Sequence, residues 1–173
     1  SPYLIRTAEQ LRAFAGSLNN KINYAGKYVA LDADIDVSDA AWTPIGGSDW
    51  AFAGTFDGRG HTISGLTVGS ASTPLALDSG NLFIGLFGVL EKTAVVRDVA
   101  LRNVAFYTSY EATAYVGGIA GYLNGSGESN VFTGAVIDGC SVSGVISHTS
   151  AKGNQFVGGI VGMQYKGAVI NSA

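Results

Sequence analysis

Acidic residues are the first side chains in this chain whose spacing suggests chemistry. Asp32, Asp34 and Asp36 alternate with other residues, as do the first ligands of a calcium-binding loop. Such a loop needs glycine at its sixth position and glutamate at its twelfth, and those positions hold Val37 and Thr43. The sequence therefore favours a solvated strand face for the three carboxylates, with a weakly held surface ion as the alternative.

A pair of carboxylates on either side of a glycosidic bond would be needed for polysaccharide hydrolysis. Asp57, in the turn Asp57-Gly58, can form such a pair only with one of the aspartates between Asp32 and Asp36. Turn and strand-edge roles explain these residues equally well. A β-helix polysaccharide lyase or hydrolase is therefore the alternative function, and we assign no catalytic residue.

Histidine and cysteine supply no further site. His61 and His148 are the only histidines and lie in unrelated parts of the sequence, so the His-Glu-x-x-His motif of zinc peptidases is absent. Cys140 is the only cysteine, and its apolar surroundings predict a small buried residue rather than a reactive thiol. We assign no metal ligand and no cofactor-binding residue, and we expect no cofactor.

A glycine-rich motif recurs along the chain. Val116–Gly121 (Val-Gly-Gly-Ile-Ala-Gly) returns as Val157–Gly162 and, in looser form, as Ile84–Gly88. A dinucleotide-binding loop would have to open a helix in a βαβ unit, and the sequence predicts no helix after these segments. The repetition instead indicates stacked structural repeats. Their glycines are predicted to serve corners that need a positive φ or a close approach of strands.

Aromatic side chains outside the apolar patterns are the remaining candidates for ligand contact. Trp50 lies in a predicted loop, and Tyr107, Tyr110 and Tyr115 crowd a predicted insertion between repeats. Exposed rings can stack on sugars or anchor a protein partner. They can equally pack over a neighbouring repeat. We expect a host protein or a glycan as partner, with these four residues as its candidate contacts.

One helix is predicted, near the start of the chain. Thr7–Gln10 has the pattern of a capping box, in which the Thr hydroxyl accepts a backbone N–H and Gln10 reaches back. The apolar residues that follow are spaced so that they lie on one face of a helix: Leu11, Phe14, Ala15 and Leu18. Asn19-Asn20 ends the helix. Residues 3–20 are predicted to cap the open first layer of a repeat stack.

Residues 28–83 are predicted to form the leading coils. Residues alternate in polarity from Tyr28 to Val37, which predicts one strand whose wet face carries Ala30 and the aspartates. Pro44 excludes a central strand position in the corner that follows. Three aromatic residues in apolar patterns are predicted to be buried: Trp42, Phe56 and Phe87.

Residues 84–173 hold the repeats, in which each glycine motif is followed by a second short apolar run. Ala94–Val99 aligns with Ala135–Cys140 and with Ala168–Ala173. Strands this short are unstable as isolated hairpins, but they bury a continuous core when stacked as coils. The copies are separated by predicted loops at Ala105–Tyr115, Asn124–Thr133 and Ser147–Gln155.

The fold predicted from these patterns is an all-β, right-handed parallel β-solenoid with a short N-terminal capping helix. The handedness follows the general preference of parallel crossovers. The 173 residues are enough for one domain, 1–173. The chain starts at Ser1-Pro2 without a methionine and stops one strand into the third repeat. We expect a fragment of a longer protein, with a partner over the open end as the alternative.

Composition narrows the class of function. Charged residues make up 13% of the chain, about half of the roughly 25% of an average domain, which fits short buried strands. A net charge of −3, with no run of Lys or Arg, argues against a nucleic-acid partner. The longest apolar run, Leu82–Leu90, is too short to span a bilayer.

The segment Phe52–Leu66 (Phe-Ala-Gly-Thr-Phe-Asp-Gly-Arg-Gly-His-Thr-Ile-Ser-Gly-Leu), followed by the glycine motifs, resembles the GLUG-motif repeat proteins. These are bacterial surface or secreted β-solenoid modules, found beside immunoglobulin A-specific metalloendopeptidase domains and in haemagglutinin-like adhesins. Three earlier segments resemble the region that usually precedes such repeats: Thr7–Leu11, Leu31–Asp36 and Trp42–Gly46. The resemblance implies the fold and the setting, and it carries over no catalytic residue.

We therefore expect a non-catalytic extracellular module of a bacterial surface or secreted protein, which serves in adhesion and ligand display or as a structural spacer. We expect a monomer that continues into further domains and has no membrane span. Any peptidase activity of the parent protein would then belong to another domain.

Overall fold

The computed structural model describes residues 2–20, 22–126 and 133–173. Within these ranges the chain forms one helix, α1 (Ala8–Asn19), and nineteen strands. The strands are β1 (Tyr3–Ile5), β2 (Tyr28–Leu31), β3 (Ile35–Asp36), β4 (Thr55–Asp57), β5 (Thr62–Ser64), β6 (Thr67–Val68), β7 (Leu82–Ile84), β8 (Phe87–Leu90), β9 (Val95–Arg97), β10 (Ala100–Ser109), β11 (Ala114–Gly117), β12 (Ala120–Leu123), β13 (Gly125–Ser126), β14 (Thr133–Gly134), β15 (Val136–Asp138), β16 (Ser141–Thr149), β17 (Gln155–Gly158), β18 (Val161–Gln164) and β19 (Ala168–Ile170).

Four parallel sheets run along the stack. The first has the order β1-β2-β4-β9-β15-β19, and the second has the order β16-β10-β5-β3 with β6 also on β10. The third and fourth have the orders β17-β11-β7 and β18-β12-β8. From β7 onward, successive strands of these four sheets belong to successive sheets, and the chain returns to each sheet one coil later. This arrangement confirms a parallel β-solenoid, while its right-handed sense stays a prediction.

The helix α1 covers one end of this stack. The Oγ1 of Thr7 accepts the N–H of Gln10 at 3.2 Å, as the capping box predicts. The Gln10 Oε1 accepts the N–H of Arg6 at 2.7 Å, one residue before the expected N–H of Thr7. The predicted inner face is buried in the core, through Leu11, Phe14, Ala15 and Leu18.

The predicted single strand from Tyr28 to Val37 is wrong. The strand β2 ends at Leu31, β3 begins at Ile35, and the two belong to different sheets. A coil has to turn between its faces, so the alternation in the sequence crosses a corner. Ala30, expected on the wet face, is fully buried.

Two of the predicted loops are also shorter than expected. The strand β10 extends to Ser109 and β16 extends to Thr149, because they pair with each other residue by residue through Ser109 and Thr149. The loop proper then occupies residues 110–113 in one coil and 150–154 in the next. The loop predicted at Asn124–Thr133 lies partly outside the described residues, and its ends form the antiparallel pair β13–β14.

The third repeat is shifted by one residue from the predicted alignment. Val136 pairs with Val95 on one side and with Ala168 on the other, so Ala168 does not stand over Ala135. Val169 is thereby placed next to Ile137 and packs against the core. Ile170 is 48% exposed. Apolar residues lie side by side whether Ala168 is aligned with Ala135, as predicted, or with Val136, as observed. Only the hydrogen-bonding register distinguishes the two alignments.

The glycine motifs form the corner between the third and fourth sheets. Val116 pairs with Ile84 and Val157, and Ala120 pairs with Phe87 and Val161. The three copies are therefore stacked directly on one another, as the repetition predicts. Every glycine of these copies, all within the described residues, has a φ outside the left-handed region. Close approach of neighbouring backbone explains all of them except Gly159, where a Cβ would meet nothing within 4 Å. A Cβ on Gly118 would lie 2.5 Å from the carbonyl oxygen of Gly159.

A different corner, between the first and second sheets, does use left-handed backbone. Asp98, Gly139 and Asn171 follow paired residues in successive coils and have φ values of 52°, 62° and 49°. Glycine, asparagine and aspartate are the residues that tolerate this conformation best. The corner position therefore explains Asp98 without a functional role.

The core is continuous from α1 to the last coils. Phe14 stacks on Phe56 at a centroid distance of 6.0 Å, and Phe56 meets Phe87 edge-on at 5.4 Å. The indole of Trp42 donates to the carbonyl of Gly85 at 3.1 Å. The predicted burial of Trp42, Phe56 and Phe87 is confirmed.

Replacing Gly118 with alanine tests the corner. The new Cβ would clash with the Gly159 carbonyl and with Val142 Cγ1 at 2.6 Å, so we expect a loss of about 1–3 kcal/mol in the free energy of unfolding. The matched control is Gly159→Ala, because a Cβ there meets nothing within 4 Å. Chemical denaturation of both variants measures the difference. Equal stability of the two variants would contradict the close-approach assignment.

Candidate ligand-contact surfaces

The four aromatic candidates do not form one surface. Tyr107 lies on β10, Tyr110 in the turn after it, Tyr115 on β11, and Trp50 in the loop before Phe52. Of the two alternatives for Tyr110, ligand contact or packing, the structure shows packing: the residue is 7% exposed, and its hydroxyl donates to the carbonyl of Gly80 at 2.7 Å. The strand β10 ends at Ser109, and the ring of Tyr110 that follows belongs to the hydrophobic core. Tyr110 is therefore a structural residue in this chain.

Tyr115 lies in the middle of an aromatic column. Its ring stacks on Phe83 at 4.9 Å and on Phe156 at 5.1 Å, with interplanar angles of 7° and 5°. Tyr122 packs edge-on against Tyr115 at 5.3 Å. Both faces of the Tyr115 ring are thus covered, and only its edge and hydroxyl are available to a ligand. Each ring of the column directly precedes a copy of the glycine motif, so the repeat in the sequence already places these rings at equivalent positions.

Burial within this column also affects ionisation. The pKa of the Tyr122 hydroxyl is raised, first by burial and then by the neighbouring Tyr115 and Tyr165. The hydroxyl is neutral at physiological pH and can offer a ligand a hydrogen bond without a charge.

Trp50 and Tyr107 keep part of their surface open to solvent. Trp50 is 37% exposed, and its carbonyl accepts the N–H of Gly47 at 3.3 Å. Tyr107 is half-buried on β10, where its carbonyl accepts the N–H of Leu75 at 2.9 Å. Main-chain hydrogen bonds therefore fix the position of both residues, while their side chains stay accessible.

The aspartates at the corner after β2 each have their own partners. Asp32 accepts from Arg6 Nε at 2.7 Å and from Arg59 Nη1 at 3.4 Å. Asp34 accepts the N–H of Thr62 at 2.9 Å and lies 3.2 Å from the Nδ1 of His61. The hydrogen bond from Thr62, followed by that from His61, lowers the pKa of the Asp34 carboxyl. These carboxylates connect one coil to the next instead of sharing one face.

Asp36 is bound within its own turn. Its Oδ1 accepts the N–H of Ser38 at 2.9 Å, and this bond is the main cause that lowers the pKa of its carboxyl. Among the described residues, no group of three or more His, Cys, Asp or Glu side chains is placed to hold a metal ion.

Among the described residues Asp57 is the one buried carboxylate, with 6% of the residue exposed, and it is held by a network on the outer side of the first sheet. Its Oδ2 accepts from Arg97 Nη2 at 2.8 Å and Nε at 3.1 Å, and from the hydroxyl of Tyr28. Its Oδ1 accepts the N–H of Arg59 at 2.8 Å. Burial alone would raise the pKa of Asp57, but these donors outweigh it and the pKa is lowered. An ionised, fully bonded carboxylate is poorly suited to act as a general acid.

Cys140 is buried, as predicted, and its Sγ lies 3.4 Å from the carbonyl of Asp138. Burial is the main cause that raises the pKa of its thiol to about 11. Since the thiolate is the reactive form, the thiol is unreactive at neutral pH.

The last coil has a partly open inner side. Ile146, Ile160 and Val169 pack against the core yet remain half-buried, and Val157 is 46% exposed. The strands β16 to β19 pair on one side with the preceding coil. This side therefore offers apolar surface and strand edges that fit another coil of the same kind.

A concave surface at the opposite end was missed by the sequence interpretation. Tyr3, on the edge strand β1, is 54% exposed and lines three adjoining concavities. The largest, about 500 Å³, is also lined by Asn23, Tyr24 and Lys27. Tyr3 and Tyr24 meet edge-on at a centroid distance of 5.9 Å. No sequence pattern places residues 3 and 24 together, because parallel pairing of β1 with β2 does so.

Replacing Asp57 with asparagine tests whether this carboxylate is structural. We expect a loss of about 1–3 kcal/mol, because a buried acceptor of charged hydrogen bonds is removed. The pKa of Asp57 is lowered by folding, so its stabilisation is complete above its ordinary pKa of 3.8 and is lost as the pH falls below that value. The deficit of the variant should therefore shrink in acid, as denaturation at several pH values would show.

The control for this variant is Asp34→Asn, since the Asp34 side chain is 74% exposed and contributes little. A D57N protein as stable as wild type at neutral pH would contradict the structural role.

A second variant, Tyr110→Phe, removes only the hydroxyl that donates to Gly80. We expect a loss of about 1 kcal/mol in thermal unfolding, because a buried hydrogen bond disappears. Tyr107→Phe is the matched control on a half-buried tyrosine and should be close to neutral. An unchanged melting temperature for Y110F would mean that the Gly80 carbonyl finds another donor.

No family model matches this chain. It is 32% identical over 161 residues to halomucin from Haloquadratum walsbyi, an alignment that covers 86% of this chain and 2% of halomucin. It is 32% identical over 129 residues to a "putative Gly-rich membrane protein" from Evansella cellulosilytica, covering 70% of this chain and 13% of that protein. The chain thus spans a small part of the relatives that it matches.

A crystal structure of a "putative immunoglobulin A1 protease" from Bacteroides ovatus has a similar fold. The TM-score is 0.64 at 23% identity, and the match covers 99% of this chain and 56% of that chain. At this identity the likeness supports the fold alone. The described residues contain no helix with the length and apolarity to cross a membrane.

Proposed function

We propose that this chain is a non-catalytic extracellular repeat module of a bacterial surface or secreted protein. The proposal depends on one observation: the glycine motifs and Asp57, the residues that could suggest ligand binding or catalysis, have structural roles. The glycine motifs stack as coil corners, and Asp57, the only buried carboxylate among the described residues, is bound by donors from three strands or turns. The candidate contact residues that keep accessible side chains, Trp50 on a loop and Tyr107 on β10, suit display of a binding surface, and a stack without such use suits a spacer.

The resemblance to GLUG-motif proteins supports this setting. The three copies of the motif lie in register on one another, as repeats of a single supersecondary unit should. We propose a surface or extracellular location for this chain, and its similarity to halomucin and to the Gly-rich membrane protein supports that location. Membership of the GLUG group is part of the proposal.

We also propose that residues 1–173 form one solenoid domain of a longer protein: a cap at 3–20, leading coils at 28–83 and repeats at 84–173. The share of the relatives that the chain covers, between 2% and 56%, supports this organisation. The half-buried inner side of the last coil would pack on a further coil. A peptidase activity of such a protein would belong to another domain.

The proposed partner is a host protein or a glycan. Trp50 and Tyr107 retain exposed aromatic surface, and Tyr115 retains its edge. Aromatic groups of this kind contribute strongly to sugar and protein binding when they become buried in a complex.

Two parallel assays on this chain test the proposal, one of ligand binding and one of substrate cleavage. We expect saturable binding to at least one member of an array of glycans and secreted host proteins. For at least one ligand of the array, Trp50→Ala should weaken binding severalfold while the melting temperature stays within about 2 °C, since an exposed ring is removed. We expect no cleavage of immunoglobulin A1 or of polysaccharides by the same preparation.

Cleavage of either substrate that is abolished by Asp57→Asn, with the variant still folded, would replace the module by an enzyme. If the chain neither binds nor cleaves any of these molecules, ligand display is excluded and the spacer role is the one that remains.

A further inference from the structure

We propose that the concave surface around Tyr3 is a binding site for a saccharide that carries a carboxylate group. This inference rests on the proposed function, because it names the ligand class of a non-catalytic binding module. The surface is defined by Tyr3, Asn23, Tyr24, Lys27 and Tyr28. It lies beside α1, at the end of the stack away from the glycine-motif repeats.

The aromatic residues give the site the form that a sugar ring needs. The Tyr3 and Tyr24 rings stand at 86° to each other, so one can act as a platform and the other as a wall. Tyr3 is 54% exposed and contacts one other ring, that of Tyr24 in a T-shaped pair, whereas Tyr115 has both ring faces covered. The C–H face of a sugar packs on an open aromatic face and leaves its hydroxyl groups to polar neighbours.

The wall of the site is already rigid. Tyr24 has a φ of 59°, an uncommon conformation for a bulky residue, and its hydroxyl shares a hydrogen bond of 2.8 Å with Ser17 Oγ. Its ring also packs edge-on against Phe14 at 4.9 Å. Strained residues of this kind cluster at ligand sites, where the surrounding structure holds them in place. A rigid wall lowers the entropy lost on binding.

The polar groups of the site are mainly donors. Lys27 lines both the concavity of about 500 Å³ and the adjoining one of about 440 Å³, and its side chain has no ion-pair partner among the described residues. The Oδ1 of Asn23 accepts the N–H of Ala25 at 3.1 Å, and this bond leaves the amide nitrogen of Asn23 as a donor. The described lining of these two concavities contains no acidic residue.

The chain as a whole has a net charge of −3, so a concavity lined by Lys27 and no acidic residue differs from the average surface in favouring anions. A cation without an acidic neighbour attracts a carboxylate and gains little from a neutral hydroxyl. Aromatic faces together with one ammonium group therefore match a uronic acid better than a neutral sugar.

An extended peptide is the competing occupant, since β1 is an edge strand. The strand is only three residues long, and the N–H of Arg6 that follows it is already bound to Gln10 Oε1. A short edge offers few main-chain hydrogen bonds to an added strand. The side chains, not the strand edge, carry the recognition.

The test uses hexagalacturonate and its fully methylated ester, whose carboxyl groups are uncharged, and measures binding to the whole chain by calorimetry. We expect hexagalacturonate to bind and the ester to bind at least about fivefold more weakly. Tyr3→Ala should weaken hexagalacturonate binding about tenfold. Lys27→Gln should weaken it about fivefold and abolish the preference over the ester. Added salt should weaken the wild type more than the Lys27 variant.

Two matched controls should retain wild-type affinity. Tyr165→Ala removes another exposed tyrosine, 44% exposed, in the last coils, and Lys92→Gln removes a lysine from the turn before β9. Thermal unfolding of every variant separates lost binding from lost structure.

The inference is overturned if hexagalacturonate does not bind, if Tyr3→Ala leaves its affinity unchanged, or if an acidic hexapeptide binds more tightly. Binding of other glycans or host proteins with Tyr3 and Lys27 uninvolved would leave the proposed function intact and overturn only this site. Cleavage of hexagalacturonate would overturn both.

Discussion

The stacking of one coil on the next is the constraint on which the rest of the structure depends. Parallel main-chain hydrogen bonds hold neighbouring strands about 4.8 Å apart, and this spacing applies at corners as well as along strands. Where two corners meet, as at Gly118 under the carbonyl of Gly159, no room is left for a Cβ atom. The glycine motif is therefore a consequence of packing, and its repetition follows from the repetition of the corner.

The same spacing governs the polar residues. Strands in successive coils bring Tyr28, Asp57 and Arg97 to neighbouring positions on the outer side of the first sheet, where their charges and hydroxyl groups satisfy one another. Asp32 and Asp34 likewise bind groups of an adjacent coil. The carboxylates whose spacing in the sequence suggests catalysis or ion binding thus connect one coil to the next. This use lowers the pKa of Asp57 and leaves it ionised, because three sets of donors outweigh the cost of its burial.

Stacking also decides where a ligand can find an open aromatic face. Rings at equivalent positions in successive coils cover each other, as Phe83, Tyr115 and Phe156 do. A ring inside such a column is lost as a platform for sugars. Open faces are expected only at loops, such as that of Trp50, or at the end of the stack, where Tyr3 lies. The architecture therefore directs binding toward edges and ends, whatever the partner of this module is.

The sequence by itself determined the repeated unit, the capping helix and the buried aromatic residues, because these depend on local periodicity and apolar patterns. The tertiary structure alone decided the register and the partners. Ala168 pairs with Val136 instead of standing over Ala135, the alternation from Tyr28 to Val37 crosses a corner, and Tyr110 is buried. Each of these depends on which hydrogen bonds a neighbouring coil supplies, and coils distant in sequence leave no local pattern. The site around Tyr3 belongs to the same class, since the pairing of β1 with β2 and the turn before β2 create it.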